Sequence, residues 1–470
     1  MPKNREVYLL DPKDLTPETI AVTFAKTSRS PESFREIAKE LTEEKSAEFN
    51  EKWVVGYGHS SVAEHAILHL AVENLSRLAV ESLESARLAS YTEKSTRYQK
   101  WDPTEYFFPE ELSSHPLEAE FRSTVEFLFE RYFAALPKVQ AVVAAENPQR
   151  SDESAAAWER RIRSKYVDVC RFYLPAAALA NVGVTVNARE LEHMISKMLS
   201  HSLAEVQALG TELKAVSQAN VPTLVKYANP DPYLQQVHGR FEQPPAQSNA
   251  YSDWCQLVSY DKQTESKILA AVLYRNSNTD FKSLLSHVDS LGLEEKQLLA
   301  GKLMDGVGKF TSPIRELEYG TFTFDLIMDQ GAYFEFKRHR MMTLTPQPLT
   351  ANLGYATPLK LQQAGLEQDY ETAIEQARPA YSTLAAWNPE VASYIVPNGF
   401  NRRSLIEINL RSALHLVNLR SASNAHFSMR RVAQRMAEEL RGVLPILAPY
   451  FRANLVETWQ QVEQENFVQV

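Results

Sequence analysis

The sequence predicts an α+β fold in which one domain is made twice along the chain, over residues 1–240 and 255–470. Three observations carry this expectation. An alternating strand, a helix and a long amphipathic helix follow one another in the same order in each half. Pro175, Asn187 and Met198 are separated by 12 and 11 residues, and Pro397, Asn409 and Arg420 keep both spacings. Between the halves, residues 241–254 read FEQPPAQSNAYSDW, and Pro-Pro with the Gln, Ser and Asn around it continues neither a helix nor a strand. The repeat is far longer than a solenoid unit, which makes it a duplicated domain.

In the first half, AILHLAVENLSRLAVESLESAR at 66–87 supplies the strand and the helix. The polar stretch ENPQRSDES at 146–154 reads as a loop inside this half, because helical patterns resume on both sides of it. YLPAAALANVGVTVNARELEHMISKM at 173–198 then opens the long helix, with Leu191, Met194, Ile195, Met198, Leu199, Val206, Leu209 and Leu213 at three- and four-residue steps. In the second half, TFTFDLIM at 321–328 alternates Phe322, Phe324, Leu326 and Met328 in the period of a half-buried strand. DQGAYFEFKRHR at 329–340 reads as a helix ending in three basic groups. YIVPNGFNRRSLIEINLRSALHLVNLR at 394–420 opens the second long helix, whose apolar stripe is Leu414, Val417, Met429, Val432, Met436 and Leu440. Most of these apolar residues are core.

With 470 residues, 44% hydrophobic and 23% charged, the chain has the composition of a multidomain globular protein. A formal charge of -9 argues against nonspecific coating of a nucleic-acid polymer and leaves room for a local basic pocket. Cys170 and Cys255 are too few for a disulfide scaffold, and with MPKNREVYLL lacking a signal-peptide core they suit a reducing cytoplasm. The most apolar stretch, Phe172 to Val186, is interrupted by Pro175 and Asn181 and is too short to span a membrane. The glycines are sparse, and neither a Walker loop nor G-x-G-x-x-G occurs.

Several basic residues ask for an explanation. Arg338, His339 and Arg340 at a helix end are explained either by the macrodipole or by an anionic ligand. Arg420 lies among apolar neighbours in HLVNLRSAS, where a carboxylate or a phosphate would serve it equally, and Arg171 beside Cys170 has the same need. SYTEKSTRY gathers Glu93, Ser95, Arg97 and Tyr98, a set able to hold a phosphate and a ring, although a solvated loop has the same composition. His59, Glu64, His65 and His69 lack the H-E-x-x-H spacing, so no metal is expected from them. Neither cysteine carries a flanking motif of a nucleophile.

At these residues the sequence resembles the flavin-dependent thymidylate synthase family, as two tandem copies of its domain, each a central sheet flanked by helices with a long C-terminal helix. That family carries G-H-x-[ST]-x-x-E-H, then R-H-R-x-x-S-x-x-[EQ]-x-S-x-R-[YF], and later N-A-R with an arginine eleven residues after the Asn. The first half matches in GHSSVAEH at 58–65, in Ser90, Glu93, Ser95, Arg97 and Tyr98, in Arg171, and in NAR at 187–189, but reads Ser85-Ala86-Arg87 for Arg-His-Arg and Met198 for the late arginine. The second half keeps Arg338, His339, Arg340, Asn409, Arg411 and Arg420. At its substrate-loop offsets stand Thr343, Pro346, Pro348, Thr350 and Ala351, Ser393 takes the place of Arg171, and the GHxS motif is reduced to Ser312 and Glu318.

The losses are complementary, so the resemblance implies one intact composite site, built from the first half's loop and the second half's helix, and a second site without either set. It implies reductive methylation of dUMP to dTMP, a methyltransferase reaction with methylenetetrahydrofolate as carbon donor, FAD as cofactor and NADPH as reductant. Glu93, Ser95, Arg97 and Arg171, with Glu335 and Arg338, would then bind the substrate, and Arg420 and Arg340 would be catalytic. Arg338, His339, Arg340, Ser312, Glu318, Asn409, Arg411 and His415 would line the flavin, with Asn187 and Arg189 from the first half. Two tandem chains would supply the four domain copies of the family tetramer. A paralogue acting on another pyrimidine nucleotide, or binding without turnover, is the alternative.

Overall fold

The computed structural model describes residues 6–28, 30–56, 59–95, 97–241, 253–308, 311–452 and 456–469, so most of the stretch read as a linker lies outside the described residues. The chain forms two compact units, one of Met1–Ser95, Thr104–Glu118 and Ala177–Ala246, the other of Thr96–Pro103, Ala119–Ala176 and Gln247–Val470. The boundaries 1–240 and 255–470 give the order of the repeat along the chain, and the compact units cut across them. Two pieces of the first half, the segment carrying Arg97 and the segment ending in Arg171 to Ala176, group with the second half.

The first unit is built on an antiparallel sheet ordered β1-β3-β2, from β1 (Ile67–Ser76), β2 (Ser90–Glu93) and β3 (Leu179–Asn187). Ala180, Val182, Val184 and Val186 of β3 are buried and their neighbours are not, as a strand covered on one face requires. A bulge after Val72 holds Asn74 at φ 60°, where its N–H donates to Asn181 Oδ1 at 3.0 Å. Ser76 ends β1 and caps α1 (Arg77–Leu83), and Asn187 ends β3 and caps α2 (Ala188–Leu199), which is followed by α3 (Ala204–Gln218).

The second unit repeats the plan. Its sheet is ordered β4-β5-β7-β6, from β4 (Cys255–Tyr260), β5 (Thr321–Asp329), β6 (Thr343–Pro346) and β7 (Asn401–Asn409). Asp329 caps α4 (Gln330–Phe336), and Asn409 caps α5 (Leu410–Arg420), which is followed by α6 (Phe427–Val443). The registers correspond: Ile67 faces Asn187 as Thr321 faces Asn409, and Ser90 faces Thr185 as Thr343 faces Glu407. A buried carboxylate also recurs. Glu18 accepts the Thr223 and Leu224 N–H groups at 2.9 and 3.3 Å, and Glu265 accepts those of Ile446 and Leu447 at 2.8 and 2.7 Å.

Two expectations need correction. Each long helix is a pair of helices, interrupted at Ser200–Leu203 and at Ser421–His426. Ser200 and Ser421 fold their N–H groups back on the preceding turn and close the helices, and Ser, Asn and His around them compete for backbone groups. Edge strand β4 has no counterpart among the described residues of the first unit and was not foreseen.

Inside the second unit the two proline-bearing segments pair with each other. Ala176 N–H donates to Val396 O at 3.0 Å, Asn398 N–H to Leu174 O at 2.9 Å, and Gly399 N–H to Phe172 O at 3.0 Å, with Pro175 facing Pro397. A side chain at Gly399 would place its Cβ 1.8 Å from the Tyr370 hydroxyl, so only glycine lets the strands approach this closely. This pairing fixes Arg171, at the head of its segment, beneath the N-terminus of α4, where Nη2 donates to the Gly331 carbonyl at 3.0 Å.

Candidate functional site

The second unit gathers charged groups from both halves of the sequence around Glu335. That residue lies in the last turn of α4, and Arg420 ends α5. Arg420 Nη1 donates to Glu335 Oε2 at 2.6 Å, and its Nε donates to His339 Nε2 at 2.9 Å. An arginine nitrogen is only a donor, so His339 accepts on Nε2 and carries its proton on Nδ1. Burial first, then the neighbouring Arg420 and His415, push the His339 imidazole down to about 3, which keeps it neutral. Burial disfavours the Glu335 carboxylate, but Arg171, Arg338, Arg420 and Arg97 outweigh it and hold the group below the usual carboxylate range.

Arg97 enters this cluster through Asp168. Its Nε lies 3.1 and 3.0 Å from the two carboxylate oxygens, and its Nη2 donates to Oδ2 at 2.9 Å and to the Asn424 carbonyl at 3.2 Å. Burial pushes the Asp168 carboxyl up, against the pull of Arg171 and Arg97. Arg171 is fully buried, and its Nη2 is spent on the Gly331 carbonyl. The guanidiniums of Arg97, Arg171, Arg338 and Arg420 share this cluster with the carboxylates of Asp168, Glu335 and Asp329. His426, at the start of α6, is 1% exposed and stacks on Phe427 and Phe172 with ring centres 4.5 and 6.2 Å away. Burial, then Arg171 and Arg97, hold it well below its ordinary pKa.

The remaining predicted residues fall into several places. Arg338 is exposed and Arg340 half-buried just beyond α4, and exposed His415 lies with its ring 5.7 Å from His339. Asn409 spends its Oδ1 on the Ser412 N–H at 2.9 Å. Arg411 donates to Glu318 Oε1 and to the Pro313 carbonyl, both at 2.8 Å, next to exposed Ser312. In the first unit Asn187 caps the Glu190 N–H at 2.9 Å and Arg189 pairs with Glu64, the same arrangement as Asn409 and the Arg411–Glu318 pair. Glu64 lines a cavity of about 350 Å³ with Phe24, Phe49, Trp53, His59 and His65; Gly58 of that motif lies outside the described residues. His69 Nδ1 is 3.0 Å from Thr185 Oγ1, and among the described residues no three His, Cys, Asp or Glu side chains gather as a metal site.

Glu93 lies in the first unit. Its carboxylate is closed up in an ion pair with Arg77, the two side chains 1% and 2% exposed, because a carboxylate that deep needs a cation beside it. Ser95 is half-buried in the segment after β2. Sequence reasoning missed Asp168, Arg77 and His426. Asp168 had a signal: it stands three residues before Arg171, one helical turn away, and both Arg97 and Arg171 needed an acceptor.

The family model described as thymidylate synthase complementing protein matches residues 10–223 and again residues 256–446. The chain belongs to this family. The two matches make it a tandem of the family's domain, as the repeated sheets show. A UPF0159 protein of Chlamydia pneumoniae is 31% identical over 87% of this chain and 81% of its own length, and one of Thermoplasma acidophilum is 26% identical over 87% and 89%. A flavin-dependent thymidylate synthase of Clostridium tetani is 28% identical over 46% of this chain and 83% of its own length, the coverage of a single domain copy. A solved flavin-dependent thymidylate synthase of Helicobacter pylori, complexed with FAD and dUMP, aligns with 46% of this chain and 96% of its own at 18% identity and a TM-score of 0.32. No helix among the described residues is long and apolar enough to cross a membrane.

Proposed function

We propose that the chain is a flavin-dependent thymidylate synthase-like enzyme that methylates dUMP reductively at one composite site. The observation that carries this reading is the meeting of Arg97 and Arg171, from the first half, with Glu335, Arg338, His339 and Arg420, from the second, in one compact unit. Guanidiniums gathered in this way suit a phosphate monoester dianion. Arg97, held in a fixed orientation by Asp168, binds that phosphate; Arg171 and Arg338 add their charge. Arg420, fixed by His339 and Glu335, meets the base and draws electron density toward its carbonyl oxygen, which stabilises charge as C5 becomes nucleophilic. Being pre-aimed, it needs no reorganisation at that moment.

The residues beyond α4 fit a flavin dinucleotide. Arg338, Arg340 and His415 offer exposed or half-exposed cationic and imidazole groups to a pyrophosphate and a ring, beside Asn409 and the Arg411–Glu318 pair. When bound, FAD supplies the hydride, methylenetetrahydrofolate the carbon and NADPH the electrons that reduce the flavin. An attacking thiolate is then unnecessary, and both Cys170 and Cys255 are buried with their thiols pushed up by burial.

The test is colour. The purified chain is expected to retain FAD, to bleach with NADPH when dUMP is present, and to support growth of a thymidine-requiring strain. Retained flavin without bleaching or growth would make the chain a binding paralogue, and no retained flavin would overturn the reading.

A further inference from the structure

The second match to the family ends at residue 446, yet the described chain after it is built into the second unit. Thr458 caps α7 (Trp459–Asn466) with a capping box, and Arg430 pairs with Glu457 at 3.2 Å. Arg431 of α6 lies over the rings of Trp254 and Phe467, 4.6 and 4.5 Å from their centres, while its Nη1 donates to Glu463 Oε1 at 2.8 Å. Val468 N–H donates to the Thr357 carbonyl at 2.9 Å, with Phe467 facing Pro358 and 4% exposed. There Phe467 meets Phe427 edge-on, ring centres 5.3 Å apart.

Phe427 begins α6, and the turn before it runs six residues, Ser421–His426, where the corresponding break in the first half, Ser200–Leu203, runs four. In this turn the Asn424 carbonyl accepts from Arg97 Nη2 at 3.2 Å. His426, two residues on, is buried with its ring stacked on Phe427 and Phe172, which also stack on each other with centres 5.8 Å apart. Whatever holds these rings therefore also sets where the Asn424 carbonyl points.

We propose that Phe467 is a positioning residue for Arg97: by closing the ring stack of Phe427, His426 and Phe172, it fixes the turn whose Asn424 carbonyl orients the Arg97 guanidinium toward a ligand anion. This rests on the nucleotide reading and adds to it a dependence on the chain's C-terminal segment. Asp168 anchors Arg97 at Nε and Nη2, and Asn424 adds an acceptor from the other half of the sequence. Two acceptors on separate segments fix the plane of a guanidinium, and an orientation set before binding spares the complex the cost of ordering it.

The test is a double-mutant cycle on the full chain supplemented with FAD, reading dUMP affinity by calorimetric titration for the native protein, Phe467→Ala, Arg97→Ala and the double variant. Phe467→Ala is expected to weaken dUMP binding by about 3- to 30-fold in the native background, the size of effects transmitted through packed side chains. In the Arg97→Ala background it should change affinity by less than about twofold, since the group it positions is gone. Losses of the same size in both backgrounds would mean that Phe467 supports the fold at large, and no loss in either would mean that it supports nothing at the site; each result overturns the proposal. If Phe467→Ala does not fold, Phe467→Leu, which keeps apolar volume without the ring, is read in the same cycle by the same criteria. A native protein that bound no dUMP would overturn the nucleotide reading and this inference with it, whereas native binding without coupling to Arg97 would overturn the inference alone.

Discussion

Arg97→Ala separates two consequences of the charge cluster. Three contacts of 2.9 to 3.1 Å bind Arg97 to Asp168, whose side chain is 5% exposed, while Arg97 itself is 17% exposed. Losing the guanidinium removes one charge-assisted bond to a ligand phosphate, worth about 1.5 to 3 kcal/mol, or roughly 10- to 150-fold in dUMP affinity. It also leaves the buried Asp168 carboxylate to Arg171 alone, a cost in stability of about 1 to 3 kcal/mol. The double variant Arg97→Ala/Asp168→Ala removes that stranded charge, so it should recover part of the stability and none of the affinity. Calorimetric titration of the FAD-loaded chain with dUMP, beside chemical denaturation, reads both quantities. Arg87→Ala is the control: Arg87 is exposed, and Met198, where the late arginine would stand, is buried in the core, so affinity should stay within about threefold. Unchanged dUMP affinity in Arg97→Ala, or an Arg87→Ala variant as damaged as Arg97→Ala, would refute the composite site.

His339 should make stability fall on acidification. Unfolded, it takes a proton near pH 6.5, but folded only near 3, so between those values the unfolded state binds more protons and stability drops by up to about 1.4 kcal/mol per pH unit. His339→Gln keeps an acceptor for Arg420 and should flatten that slope, read as the native-minus-variant difference so that carboxyls raised by burial, such as Asp168 and Asp329, cancel; identical slopes would refute it. Gly399→Ala should cost about 1 to 3 kcal/mol by overpacking against Tyr370, and Tyr370→Phe should restore part of it by removing the hydroxyl 1.8 Å from the new Cβ. Light scattering is expected to find a dimer of tandem chains at micromolar concentration, and a monomer would contradict this.

The duplication was legible because backbone chemistry marks it in sequence. Asn187 and Asn409 end a strand and cap a helix at the same register, and a cap needs a short polar side chain at that one position. The alternation of Phe322, Phe324, Leu326 and Met328 likewise fixed β5, with all four buried. Two features were invisible because their cause is not local. The helix breaks at Ser200–Leu203 and Ser421–His426 interrupt apolar steps that would fit a continuous helix equally well. The ion pair of Glu93 was the other, because its partner Arg77 lies 16 residues away in the chain. Arg97 and Arg171 could be read as needing an acceptor, but Asp168 serves them only once the segments before and after it have folded against the second half. His426 has no motif, and only burial between Phe172 and Phe427 singles it out.

The number of nucleotides bound per chain tests the central claim most directly. One half lacks the Arg-His-Arg helix and the late arginine, the other lacks the loop arginine and the counterpart of Arg171, and the proposed composite site draws on Arg97 and Arg171 with Glu335, Arg338 and Arg420. Calorimetric titration of the FAD-loaded protein with dUMP should therefore give a stoichiometry of one per 470-residue chain. Two equal sites per chain would contradict the account, since each half would then hold a working site of its own.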